Sequence, residues 1–421
     1  MVAFVCLVVM TLCAHGNAAW LPPWESTYDM ALSTIMMPCN DSGWMDSNFA
    51  SKWGLVDLDW SNAKALWANA KPMDCQERLI TQAQKIRKSN PSTKTFVYRN
   101  LVKALPWFSS VREKLDDPAY SGWFLKYRDG GKGKNYSSNP CTGRKCSVYY
   151  HDQDQTPEHP RGDGSCIDEC DCGTQPCGEY LWDHRNNSLR EFLISEFVLG
   201  PDGIGNAAVD GVFLDDKWRN TSEKRSPFWP KEGFCPEGPI GGPSEEYPNC
   251  TEDMGLTQQD TTDITNAWKE TIDQAKSKIV AAGGFNWQLF TQSTDLPANP
   301  GACRAYFSDA CRPGGGKRYS IPWVYQFTDP KSGRNLPNVT GDLATFLLAR
   351  GDYAWIGYGW IGCAPTVEYY RPPELDVDYG VPLDVCVKAD SRGSFFKRNY
   401  TKATVTFDCE TMDAKIEMKF G

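Results

Sequence analysis

Apolar runs of five to seven residues recur along the chain, separated by stretches in which apolar residues return every three or four positions. The runs predict strands over Leu32–Met37, Gly54–Trp60, Thr95–Asn100, Val209–Asp215, Asn286–Phe290, Trp323–Phe327 and Tyr353–Tyr358. Between them the spacing predicts helices over Asp74–Ser89, Trp107–Leu115, Ser188–Leu199, Thr257–Ala282 and Gly341–Leu348. In the first of these, Leu79, Ala83 and Ile86 fall on one face. Strand followed by helix, repeated at this interval, is how a parallel sheet with crossover helices is written. The expected fold is therefore α/β, a (β/α)8 TIM barrel. Seven strands are read directly, and the eighth is expected just before Tyr180–Trp182.

Two segments interrupt the rhythm, 128–180 and 220–256, both rich in Gly, Pro, Cys and Asn-x-Ser/Thr acceptors. They read as long disulfide-rich loop insertions, of the kind that carry function when ordered. Beyond Gly362 the pattern changes again, because Lys402–Cys409 alternates as a strand does. The expected organisation is a leader at 1–19, a barrel over 20–362 with its two insertions, and a small C-terminal β extension over 363–421 packed on the barrel.

Val2–Leu12 is almost wholly apolar, and the small residues Gly16 to Ala19 follow it. The run is too short to span a bilayer, which needs about 20 residues, so a signal peptide cleaved after Ala18 or Ala19 is expected, without stable membrane insertion. Acceptors for glycosylation stand at Asn40, Asn135, Asn186, Asn220, Asn249, Asn338 and Asn399. Of 17 cysteines, Cys6 and Cys13 belong to the leader, which leaves an odd number in the mature chain. The spacing of Cys166, Cys170, Cys172 and Cys177 would suit zinc, but an exported chain more often staples such a loop with disulfides. No metal or cofactor is expected. The address is secreted, cell-surface or endomembrane lumen.

A net charge of −9 argues against nucleic-acid or anionic-membrane partners, which need a basic surface. The 16 Trp, 18 Tyr and 19 Phe permit aromatic platforms for sugar rings. The sharpest local feature is Val209–Asp216, an apolar strand ending in two carboxylates. Barrel enzymes carry their active sites at that end of the strands. Alternation puts Gly211, Phe213 and Asp215 on one face and Val212, Leu214 and Asp216 on the other, so Asp215 is expected to point into the barrel mouth. A helix-capping or turn role for either Asp is the competing reading.

In Gly54–Trp60, Asp57 and Asp59 share a strand face, with Asp59 at the mouth and Asp57 deeper. Arg99 is a candidate partner for Asp57, and a purely structural ion-pair network is the alternative. Asn100, Gln292, Asp295, Gln326 and Asp329 also fall at strand ends, near Trp60, Tyr98, Trp287, Trp323 and Trp360. Carboxylates, amides and aromatic walls together suit hydrolysis of a glycosidic bond, in which one acid protonates the leaving oxygen and a second attacks or activates water. The histidines give no foothold for other chemistry: there is no Gly-x-Ser-x-Gly elbow, no His-x-x-x-His pair and no P-loop.

Asp210–Asp216, Trp182–Ile194 and Leu347–Trp360 resemble the hypothetical glycosyl-hydrolase-like barrel proteins and, more distantly, the endo-α-galactosaminidase-type families. The resemblance implies that Asp215 is the strand-end catalytic acid and that Asp183 and Arg185 lie near the substrate. It leaves the proton donor open between Asp329, Asp59 and Asp216. The expectation is a secreted glycoside hydrolase acting on poly- or oligosaccharide by a metal-independent, two-carboxylate mechanism. Its rival is a non-catalytic carbohydrate-binding or cell-surface protein on a degenerate barrel.

Overall fold

The computed structural model describes residues 21–30, 33–36, 40–70, 72–115, 117–125, 180–218, 256–287, 297, 299–312, 322–328, 336–359 and 369–419. Seven parallel strands form the main sheet among these residues: β1 (Thr34–Met36), β2 (Leu55–Leu58), β3 (Lys94–Asn100), β6 (Gly211–Asp215), β7 (Phe285–Trp287), β8 (Trp323–Gln326) and β9 (Ala354–Tyr358). Two short strands, β4 (Lys103–Ala104) and β5 (Tyr180–Leu181), lie between β3 and β6 in the chain. The sheet order is β7-β6-β3-β2-β1-β9-β8. The last strand of this sheet in chain order thus pairs with the first, Thr34 opposite Gly357 and Ile35 opposite Tyr358, as a barrel requires. The fold is a (β/α)8-type barrel.

All seven strands fall where the apolar runs predict them. The eighth, expected just before Tyr180, falls outside the described residues; Tyr180–Leu181 itself pairs antiparallel with Lys103–Ala104 as a separate ribbon, and β3 pairs directly with β6. Gly357 shows how tightly the ring closes, since a Cβ there would stand 1.7 Å from the Thr34 carbonyl oxygen.

The crossover helices follow the 3.6-residue spacing. They are α1 (Ser47–Ala50), α2 (Lys64–Asn69), α3 (Cys75–Ser89), α4 (Ser109–Leu115), α5 (Asn187–Phe192, continued by a π turn through Val198), α6 (Gln258–Ala281), α7 (Pro300–Ala310) and α8 (Val339–Ala349). Leu79, Ala83 and Ile86 form the buried face of α3 as expected. Thr257 and Asp260 make a reciprocal capping box at the start of α6. None of the helices among the described residues is long and apolar enough to cross a membrane.

At its C-terminal end the chain builds a four-stranded antiparallel sheet, β10 (Val387–Lys388), β11 (Phe395–Asn399), β12 (Ala403–Asp408) and β13 (Asp413–Met418). It covers α8, which is buried on nearly every side. Arg398 Nη1 donates to the Leu347 and Arg350 carbonyls at 3.0 and 2.7 Å, and the Tyr400 hydroxyl donates to Leu347 at 2.6 Å. Those bonds occupy carbonyls that the end of a helix leaves without partners. Disulfides Cys303–Cys409 and Cys311–Cys386 fasten α7 to the same sheet. Each spans a long stretch of chain, 106 and 75 residues, which in the chain-entropy account stabilises by about 4 kcal/mol apiece.

Among the described cysteines, Cys75 is free and buried. The leader, the cysteines of the two insertions and the acceptors Asn135, Asn220 and Asn249 lie outside the described residues. Asn186 and Asn338 are helix N-caps, and Asn399 lies on β11 rather than in a loop.

Candidate active site

The strand register sorts side chains between barrel interior and helix layer. Asp57 lies opposite Met36 on one side and Phe96 on the other, while Tyr98 lies opposite Phe213 and Asn100 opposite Asp215. One alternating set therefore carries Asp57, Tyr98, Asn100 and Asp215 inward. The other set faces out: Arg99 donates to the carbonyls of Phe197 (2.9 Å), Tyr98 (2.6 Å) and Asp202, with its plane against Phe108 and Phe197. Arg99 is thus an outward residue whose donors are spent on backbone carbonyls, and it is no partner for Asp57. Burial lowers its pKa to about 10, still high enough to keep it charged.

At the C-terminal ends of β3 and β6 the polar groups form a connected chain. The Tyr98 hydroxyl donates to Asp215 Oδ2 at 2.9 Å. Asn100 Nδ2 donates to the Tyr98 oxygen at 2.9 Å and to Asp216 Oδ2 at 2.8 Å. Asn100 Oδ1 in turn accepts from the Val102 and Lys103 amides at 2.9 and 2.7 Å, which fixes the amide orientation. Lys103 Nζ lies 3.3 Å from Asp216 Oδ2.

Strand alternation predicts that Asp216 faces the helices, yet its carboxylate joins this network. The reason is local: β6 ends at Asp215, and Asp216 adopts φ of 55°. That left-handed conformation, which Asp tolerates better than most residues, swings the side chain back toward β3.

The electrostatics separate the acids. Asp215 is pushed up to about 8, first by burial and then by the charge of Asp216, against the opposing effects of Lys103 and the Tyr98 hydroxyl. Asp59, just past the end of β2, accepts from the Ser61 amide at 2.9 Å and from the Ser61 hydroxyl. Burial raises it to about 6, with the Ser61 donors and Lys64 holding it down. Asp57 is 5% exposed, and no hydrogen bond reaches either of its oxygens. Burial, then the charges of Asp59 and Asp215, push it well above the usual carboxylate range, and the nearby Leu58 amide offsets little of that.

Other expected site residues are placed elsewhere. Trp60 is half-buried, 5.3 Å from Trp107 and 6.4 Å from Trp67, with Lys64 Nζ 5.0 Å over its ring. Trp323 does not line the mouth: with Tyr325 it packs outward on Phe346 of α8. Gln326, at the end of β8, lies beside Gly359, where a Cβ would come within 2.1 Å of its side-chain amide carbon. Arg185 forms a bidentate pair with Asp183 at 2.7 and 2.8 Å and reaches Asp260 at 2.6 Å, tying the start of α5 to the start of α6. His184 is buried between the Leu101 carbonyl (2.5 Å) and Thr271 (3.1 Å), and burial lowers it to about 4, so it is neutral. Gln292, Asp295, Asp329 and Trp360 lie outside the described residues. Lys103 meets Asp216 only through the fold, so no local pattern marks it, whereas Ser61 stands two residues after Asp59 and donates to it in a local turn that the Asp-x-Ser spacing can signal.

No protein-family profile and no curated protein matches this chain. Among solved structures it is similar to sucrose 6F-phosphate phosphorylase from Thermoanaerobacter thermosaccharolyticum, at 11% identity and a TM-score of 0.45, covering 92% of this chain and 95% of that one. A debranching enzyme of Nostoc punctiforme gives 9% identity and 0.40 over 91% and 90%. Cyclic α-maltosyl-(1→6)-maltose hydrolase from Arthrobacter globiformis gives 11% and 0.39 over 94% and 98%. None of these three is an endo-α-galactosaminidase.

Proposed function

We propose that this protein is a secreted glycoside hydrolase acting on poly- or oligosaccharide, with Asp215 itself as proton donor, in place of the candidates Asp329, Asp59 and Asp216, and with Asp59 as the second carboxylate. One observation carries this reading: two buried acids at the C-terminal ends of β6 and β2 differ in proton affinity, Asp215 near 8 and Asp59 near 6. Between those values Asp215 keeps its proton and Asp59 has lost its own, which is the pairing that glycosidic cleavage needs.

The Tyr98 hydroxyl occupies Asp215 Oδ2, leaving Oδ1 to carry the transferable proton. Proton transfer from Oδ1 to the glycosidic oxygen lets the sugar leave, and ionised Asp59 attacks the anomeric carbon or takes a proton from the attacking water. Lys103 and Asn100 hold Asp216 as an ion-paired neighbour whose charge raises the proton affinity of Asp215. Gln326, Trp60, Asp183 and Arg185 remain proposed contacts to sugar, the last two through the ion-paired junction described above. Two disulfides between α7 and the C-terminal sheet support an oxidising compartment.

The test is a glycan panel with product analysis on the native protein and on Asp215→Asn. Cleavage by the native protein and retained binding without cleavage by the variant are expected. Full activity in the variant would remove Asp215 from the chemistry, and binding without cleavage by both would make the protein a carbohydrate binder.

A further inference from the structure

Asp57 has no role in the chemistry just described, yet it lies beneath the acids that do. Its strand neighbours on both sides are apolar, Met36 and Phe96, each 1% exposed. Both carboxyl oxygens are sealed from solvent and accept no hydrogen bond of good geometry, with the Leu58 amide as the donor nearby. The charged groups that act on it are Asp59, on its own strand, and Asp215 on β6, both of like sign. Arg99 faces the opposite side of the sheet with its donors spent on carbonyls. Lys103 and Lys64 act on Asp215 and Asp59 rather than on Asp57. A carboxylate enclosed this way, with neither a hydrogen bond of good geometry nor a cation, is far costlier than a carboxylic acid.

We infer that Asp57 is a positioning residue, a permanently protonated carboxylic acid in the floor of the site, whose neutrality leaves Asp59 and Asp215 free to titrate separately. The catalytic part of this inference rests on the reading of Asp59 and Asp215 given above; the charge state of Asp57 does not. Were Asp57 ionised, a third negative charge would act on both outer acids and raise their proton affinities together.

Stability against pH tests the charge state without any substrate. An acid whose folded-state pKa is raised loses stability as pH climbs above its unfolded value near 4, because the unfolded chain ionises and the folded chain does not. Asp57→Asn removes that loss. Its Tm relative to the native protein is expected to rise by roughly 2–4 °C between pH 4 and pH 7. A Tm difference that is flat or falls over this range would overturn the proposal.

Should Asp57→Asn fail to fold, infrared spectroscopy of Asp215→Asn at pH 7 decides the point. A protonated-carboxyl stretch is expected to persist there, and its absence would overturn the assignment. On activity, Asp57→Asn is expected to leave the alkaline limb of the pH profile in place. Movement of that limb to lower pH by a unit or more would show that the native residue carried a charge.

Discussion

Asp210 and Asp215 stand at opposite ends of one strand register, five residues apart, and the fold treats them in opposite ways. At the N-terminal end, Asp210 receives Arg87, Lys94 at 3.3 Å and the Thr95 amide at 3.0 Å. At that end Trp24 packs edge-on against Phe96 and Phe285, with ring centroids at 6.3 and 6.0 Å. At the C-terminal end, Asp215 receives one phenolic donor and lies beside another acid. The first arrangement satisfies a charge. The second withholds partners from one, so that a proton stays on it. The difference marks the C-terminal end as the place where proton affinity has been tuned, and the N-terminal end as structural.

The comparison can be broken or sharpened by substitution at each end. The largest effect is expected from Asp215→Asn, which should lower kcat for glycan cleavage by roughly 10²–10⁴-fold with an unchanged circular dichroism spectrum. Lys103→Met comes next. It removes the charge that lowers Asp215 more than the Tyr98 hydroxyl does, so the alkaline limb of kcat/KM should move to higher pH.

Tyr98→Phe removes a donor that lowers Asp215, so the same limb should move in the same direction by less, with no loss at pH 7, where Asp215 already holds its proton. Asp210→Asn is expected to leave every limb in place. It should instead cost about 2 kcal/mol of stability, read as a lower denaturant midpoint, because it weakens a partly buried, charge-assisted network. If Asp210→Asn moved the pH profile, the division between the two ends would fail.

Much of this architecture is legible in the chain because burial on both sides of a parallel sheet writes continuous apolar runs. Val212, Phe213 and Leu214 are buried and so are Trp355, Ile356 and Tyr358, and both runs read as strands. The inward placement of Asp215 follows from the same alternation. Asp216 was misplaced because alternation ends where the strand does, and one left-handed residue reverses a side chain. Arg99 was misassigned because its place on the outward set sends it to carbonyls of the π turn and of Asp202, contacts made by distant chain segments. The role of Tyr98 as donor to Asp215 depends on the β3–β6 pairing, which the sequence states only as two separate strands.

The central claim is that Asp215 holds its proton at pH values where Asp59 has lost its own. The most direct test is the pH dependence of kcat/KM on a glycan that the native protein cleaves. Activity should rise as Asp59 ionises near pH 6 and fall as Asp215 loses its proton near pH 8, giving a bell with its maximum between them. A profile that stays level through pH 8 and beyond would contradict it.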